Sequence, residues 1–169
     1  MTTWRLWGIF TLAVIGLGVA SYLTYEKFTG GGLICWGGSQ SCEIVQNSPY
    51  SQIGPIPVAV LGLVGYLVFL VVTALQIRAS SRERRRMLAG LNFGLALGAF
   101  LYSVYLTYLE LFVIYAICTW CVISAILVTL MLILATWELG ALTRETENAA
   151  EPLPSPLESP LPSEGEGQG

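Results

Sequence analysis

The sequence predicts an all-α protein: an integral membrane four-helix bundle followed by a disordered C-terminal tail. Three observations carry that prediction. Of the 169 residues, 54% are hydrophobic and 11% charged, against about 25% charged in a soluble domain. Four stretches supply the roughly 20 mainly apolar residues that a spanning helix needs, at about 6–25, 56–77, 87–109 and 112–137. Beyond them the chain turns acidic and proline-rich, so the bundle is expected over 1–137 and the tail over 138–169. Four short helices form one bundle and leave no room for a second folded domain.

The first span follows Arg5, and Gly18-Val19-Ala20 resembles a signal-peptide cleavage site. Its apolar run exceeds the 7–15 residues of a signal core and continues into Tyr22 and Tyr25, residues suited to the membrane interface. A retained helix is expected. The loop 26–55 opens with Gly30-Gly31-Gly32 and contains Gly37-Gly38, so its first half should be flexible. Residues 42–47 suit a helical turn on the membrane surface. Ser48-Pro49 and Gly54-Pro55-Ile56-Pro57 then punctuate the chain, and proline is tolerated in the first turn of the second span. Gly90, Gly94 and Gly98 fall on one face of the third span and suggest close helix packing. A turn near Glu110 separates spans three and four. There an exposed carboxylate is the simpler reading and a proton relay the other. The seven glutamates and five prolines from Glu138 onward cannot bury a core.

Charge gives the orientation. Of eight basic residues, seven (Arg5, Arg78, Arg82, Arg84, Arg85, Arg86 and Arg144) flank one membrane face, and only Lys27 lies on the other. The positive-inside rule puts both termini and the arginine-rich loop in the cytoplasm. The loop 26–55 and the turn near Glu110 then face outward. The basic cluster is read as this orientation signal, not as a nucleic-acid site.

The chemistry-bearing residues are four cysteines. Cys118-Thr119-Trp120-Cys121 lies inside a run from Leu111 to Trp137 that carries no charge. A CxxC pair can exchange two electrons with a thiol or a small oxidant, and at that depth a lipid-soluble oxidant is accessible. Were span four to begin near Phe112, Cys118 would sit about six residues in, roughly 9 Å by helical rise. The two cysteines share a helix face. The helix N-terminus favours a thiolate there, and burial opposes it. Cys35 and Cys42 form a second pair in the outward loop, where disulfides are permitted.

The chain has no histidine and no aspartate. That excludes Ser–His–Asp and Cys–His nucleophilic sites and leaves few metal ligands. A zinc site would have to join a loop to a membrane helix, so no metal is expected. Val122 after Cys121 rules out the CxxCH haem signature. Trp120 either packs on an aromatic cofactor ring or anchors at the interface.

Together these residues resemble a known family. Cys35 and Cys42, then Ser48-Pro49-Tyr50, Gly62 in span two, and Ala116-Ile117-Cys118-Thr119-Trp120-Cys121 are similar to the vitamin K epoxide reductase family, its bacterial homologues above all. The resemblance covers about residues 5–137. In the quinone-linked oxidase of the DsbB type the CxxC pair comes first; here it comes last. The resemblance implies a bundle around a quinone, ubiquinone or menaquinone, capped by the loop that carries the first pair. It implies that a thioredoxin-like or DsbA-like partner passes electrons to Cys35 and Cys42. One of these attacks the Cys118–Cys121 disulfide at Cys118, and Cys121 reduces the quinone, in support of disulfide bond formation. Which loop cysteine meets the partner stays open. Ser48 matches the family's loop serine or threonine, which is implied to hydrogen-bond near the active thiols. The plain reading is an ST-turn before Pro49.

Two departures qualify the resemblance. Vertebrate members hydrogen-bond the quinone through an asparagine and a tyrosine, and the matching positions here are Val58 and Ala125. Reduction of a quinone is therefore expected rather than of vitamin K epoxide, which needs proton donation to an epoxide oxygen. Many bacterial relatives also carry a fused thioredoxin-like domain. Here an acidic tail follows, so the partner is expected to be a separate protein. The competing class is a non-enzymatic membrane protein with two static disulfides.

Overall fold

The computed structural model describes residues 3–30 and 39–150. Four long helices, α1 (Thr3–Thr29), α3 (Val58–Arg78), α4 (Arg82–Leu109) and α5 (Thr119–Ala150), each contain a segment long and apolar enough to cross a membrane. Between α1 and α3 come the short helix α2 (Ser39–Asn47), a 3-10 turn (Pro49–Ser51), and an antiparallel pair of two-residue strands, β1 (Gln52–Ile53) and β2 (Ile56–Pro57). Gly54 turns that hairpin with a φ of 63°, a conformation glycine adopts without strain. Pro57 then stands as N-cap of α3, where its missing N–H costs nothing.

The helices pack α1 on α3 and α5, and α4 on α3 and α5. The core between them joins Ile9, Ala13, Tyr66, Phe69, Ala96 and Met131. Outside it, Trp7, Val64, Leu67, Val71, Leu101 and Ile126 stand exposed on the outer faces. Such a surface would aggregate in water and is what lipid covers. The expected membrane four-helix bundle is present.

Three polar side chains inside the bundle bond across two helices. Asn92 of α4 donates to the Gln76 side chain of α3 at 2.7 Å, and the Thr73 hydroxyl reaches Asn92 at 3.5 Å. Such bonds hold helices together where no hydrophobic drive exists between them.

The structure departs from the sequence reading in four places. First, α4 runs on through a π-helical turn (Glu110–Ile114), and α5 begins only at Thr119. Residues 112–118 therefore do not open the fourth helix, and Cys118 is not six residues deep in it. The cause is Tyr115, a left-handed residue at φ 55°, ψ 32°. It ends the π turn, and its N–H and that of Ala116 both return to the Glu110 carbonyl.

Second, Glu110 is buried, not exposed. Third, a Cβ at Gly90, Gly94 or Gly98 would meet nothing within 4 Å, so that face is not one of close packing. The close approach is instead at Gly16, where a Cβ would collide with the Tyr66 ring. Fourth, α5 passes residue 137 and continues to Ala150. Glu138, the first acidic residue of the expected tail, is buried between Arg5 of α1 and Arg85 of α4, at 3.9 and 3.7 Å. Arg5 also donates to the Trp137 carbonyl at 3.1 Å. Residues 151–169 of the expected tail lie outside the described residues.

Candidate functional site

The site lies at the end of the bundle that carries α2, the hairpin and the turn 110–118. Local sequence builds it in three steps. The apolar residues Val45 and Cys42 of α2 face inward and pack with Leu23, Ala116 and Cys118 in one buried cluster. Lys27 of α1 fastens α2 by donating to the Gln46 carbonyl at 2.6 Å. The left-handed turn at Tyr115 then brings the chain back over Glu110, so that Cys118 sits at the mouth of α5. Its carbonyl accepts the first backbone bond of that helix, from Val122 at 3.1 Å, which is the N-cap position.

Cys118 and Cys121 are free thiols, and Cys42 is disulfide-bonded. Cys35, the expected partner of Cys42, lies outside the described residues. Cys42 and Cys118 are both fully buried in the same cluster, with Cys121 packed against it. The structure thus brings three of the four expected cysteines together. Cys118 precedes the fourth membrane-spanning segment. There a hydrogen bond from the Cys121 thiol holds its own thiol below the usual cysteine value. Burial opposes this, and the Cys121 and Trp120 backbone N–H groups assist. A helix N-terminus acts in the same direction.

Beneath the cap, Cys121 forms part of the wall of a cavity of about 360 Å³ between α1, α3, α4 and α5. Much of its lining is apolar, with Leu23, Val58, Gly62 and Phe69. That volume is within the range of small-molecule pockets. Hydroxyls enter at a few points: Ser48 and Tyr50 from the cap, Tyr102 and Ser103 from α4, and Tyr66 with Ser124 further in. Tyr66 and Ser124 bond each other at 2.8 Å. Ser124 is one helical turn from Cys121 on the same face of α5.

The other expected residues find different partners. The Ser48 hydroxyl donates to the Val45 carbonyl at 2.8 Å, as in the plain ST-turn reading, while the residue also lines the cavity. Trp120 packs on Tyr22 with ring centroids 5.1 Å apart and is not part of the cavity wall. Val58 is in the wall and offers no hydrogen bond to a ligand. Among the described residues, no group of three or more side chains is placed to hold a metal ion.

The sequence reading undervalued Glu110. Its carboxylate accepts a hydrogen bond from the Cys118 backbone N–H at 3.2 Å, engages the Cys121 thiol, and lines the cavity. A signal for it exists in the sequence: Glu110 is the single charged residue from 87 to 137. An ionisable group within a membrane segment marks a functional site by default.

Gly16 supports the site from behind. Gly16→Ala is expected to push the Tyr66 ring from its place and break the bond to Ser124, because the added carbon would fall inside the ring's contact distance. Overpacking of this kind costs about 1–3 kcal/mol. Thermal unfolding in detergent should register the loss, and an unchanged midpoint would contradict this packing.

A thiol pair with one sulfur in the wall of an apolar cavity, within a membrane bundle, is the makings of a membrane redox site. The family model described as the vitamin K epoxide reductase family matches residues 7–136, most of the chain and all four spans. The chain belongs to that family, and is accordingly a membrane oxidoreductase. The family acts on quinone-type substrates and works with thioredoxin-like redox partners.

Proposed function

We propose that this protein is a thiol–quinone oxidoreductase that reoxidises a separate, extracytoplasmic thioredoxin-like protein and so sustains disulfide bond formation. One observation carries the reading above the rest: Cys121 opens onto the apolar cavity while Cys118, its neighbour, is packed with Cys42 under the cap. That arrangement supports a lipid-soluble oxidant acting at one sulfur of the pair and a protein thiol at the other.

The partner's dithiol reduces the Cys35–Cys42 disulfide by thiolate exchange. A loop thiolate then attacks Cys118 Sγ, the Cys118–Cys121 bond breaks, and Cys121 leaves as the thiolate. The second loop cysteine attacks the loop sulfur of the mixed disulfide, which restores the Cys35–Cys42 bond and releases Cys118, so that the Cys118–Cys121 pair is left as the dithiol. Reforming the Cys118–Cys121 bond releases two electrons to the quinone, which takes up two protons and leaves as hydroquinone. The depressed Cys118 thiol fits its part, since a more acidic thiol is the better leaving group when the second loop cysteine resolves the mixed disulfide between the loop and Cys118.

Ubiquinone and menaquinone both suit an apolar cavity of this size. No donor at Val58 is available to an epoxide oxygen, so quinone reduction is the favoured chemistry. The basic flanks of Arg5, Arg78 to Arg86 and Arg144 support a bacterial inner membrane location with cytoplasmic termini and an extracytoplasmic site.

The test combines the purified protein, a reduced thioredoxin-like substrate and either quinone. Cysteine-dependent quinone reduction with a stoichiometric disulfide in the substrate is expected. Absence of quinone reduction would reject the proposal. Thiol trapping separates it from static disulfides, which stay oxidised whatever the state of the quinone pool.

A further inference from the structure

Oxidising a dithiol with a quinone moves two protons as well as two electrons, and the second traffic needs its own carrier. Among the described residues, the cavity wall contains no lysine, arginine or histidine, and one carboxyl group, Glu110. That side chain is 5% exposed and takes part in no ion pair among the described residues. One of its oxygens is held by the Cys118 N–H. The Cys121 thiol has a single proton and two acceptors within reach, the Glu110 carboxylate and the Cys118 sulfur. It can donate to only one at a time.

We propose that Glu110 is a catalytic residue of this site, the group that takes the Cys121 proton as electrons leave the dithiol and passes it to the acceptor in the cavity. The inference rests on the thiol–quinone reading above. As the Cys118–Cys121 bond forms, two electrons go to the quinone. Of the two protons that complete the hydroquinone, one comes from Cys121 through Glu110. The other comes from water, which receives the proton given up by Cys118. In the opposite half of the cycle the partner's dithiol gives up two protons to water as it is oxidised. Glu110 takes one proton back from water and, as the loop thiolate breaks the Cys118–Cys121 bond, delivers it to the departing Cys121 thiolate. Its backbone anchor at Cys118 keeps the carboxyl in line with the sulfur as the charge on that sulfur changes.

Among the described residues, the titratable groups that contact Glu110 or share the cavity wall with it are few. Cys118 precedes α5 and Cys121 lies in its first turn, Tyr66 comes from α3, Tyr102 from α4, and Tyr50 from the cap; Cys42 of α2, packed with Cys118, is in a disulfide. The α1 residues in the wall (Val19, Ala20 and Leu23) do not ionise.

Glu110→Gln tests the role, since its amide oxygen can still accept from Cys118 N–H but the group cannot carry a proton. Pre-reduced protein in detergent is mixed with a short-chain ubiquinone, and a single turnover is followed by quinone absorbance from pH 5 to 9. E110Q is expected to slow that turnover about 100-fold or more, the usual scale of general acid–base catalysis, and to flatten its pH profile. Reduction of the Cys118–Cys121 bond by dithiothreitol, read by thiol trapping, should still reach completion. Glu110→Asp, which restores the proton carrier one methylene short, should recover much of the rate and the sloped profile.

An E110Q turnover at the wild-type rate with the wild-type profile overturns the proposal. So does an E110D as slow as E110Q, which would mark a merely structural carboxylate. Should E110Q not fold, E110D is decisive: a slowed turnover with a displaced pH profile upholds the role, and wild-type kinetics overturn it. Wild-type protein that reduces no quinone rejects the thiol–quinone reading itself, an outcome distinct from an active wild type with an equally active E110Q.

Discussion

Cys121→Ser is expected to abolish quinone reduction with every electron donor. A serine hydroxyl can neither form the disulfide nor give up electrons, so nothing in the cavity wall remains to reduce the quinone. Cys42→Ser and Cys35→Ser should behave differently. Each removes the relay from protein substrates, because the loop pair can no longer be formed. Each leaves the Cys118–Cys121 pair intact for a small dithiol such as dithiothreitol to reduce directly. The contrast is measured by quinone absorbance with the two donors side by side. A loop variant as inactive with dithiothreitol as Cys121→Ser would overturn the order of transfer proposed here. The depressed Cys118 thiol adds a sign to the pH dependence of that exchange. Its thiolate is retained to lower pH than an ordinary cysteine's, so return attack by Cys118 on the loop should persist as pH falls below the ordinary thiol range.

The second large effect is on stability, at the opposite end of the bundle. Glu138→Ala should destabilise the protein by roughly 2–3 kcal/mol. Glu138 is the shared counter-charge of Arg5 and Arg85, and its removal leaves two guanidinium groups facing each other across three helices. Breaking a fully buried pair costs about 3–5 kcal/mol. The smaller figure is expected because both arginines retain partial access to solvent, at 23% and 31% of their side-chain surface, and because neither contact is short enough to be a good hydrogen bond. Thermal unfolding in detergent is the measurement. A Tm equal to that of the wild type would mean that the three charges do not hold α1, α4 and α5 together.

The spans were legible because bilayer thickness dictates their length and the charge count limits where they can end. So was the helical character of 42–47, now α2, and the start of α3 after its prolines. Other features escaped for identifiable reasons. A tyrosine is not a residue that announces a left-handed turn, so nothing in the local pattern separated 112–118 from the fourth helix. The burial of Glu110 depends on a contact with Cys118 that this turn creates, and period-based reading does not see it. What could have been noticed is its solitude among 51 residues without another charge, from 87 to 137. The glycines of span three had the right spacing for tight packing, yet spacing on one helix does not say whether a neighbour lies against that face. Glu138 was assigned to the tail by composition, whereas its burial is decided by Arg5, 133 positions earlier in the chain. The cysteine pairs were the most legible part of the site, since their chemistry is written in residue type and order rather than in geometry.

The burial of Cys42 and Cys118 has a further consequence. Both sulfurs are fully withdrawn from solvent beneath the cap, while Cys121 opens to the cavity between the helices. In the proposed relay this amounts to electrical insulation. Glutathione and metal ions in the surrounding water meet no exposed sulfur at either position, so in that relay the current between the aqueous thiol pool and the membrane pool runs along the sequence of exchanges, and a small dithiol such as dithiothreitol is the bypass. For a protein donor, the fit of its surface to the cap, and not merely its redox potential, then decides whether the circuit closes.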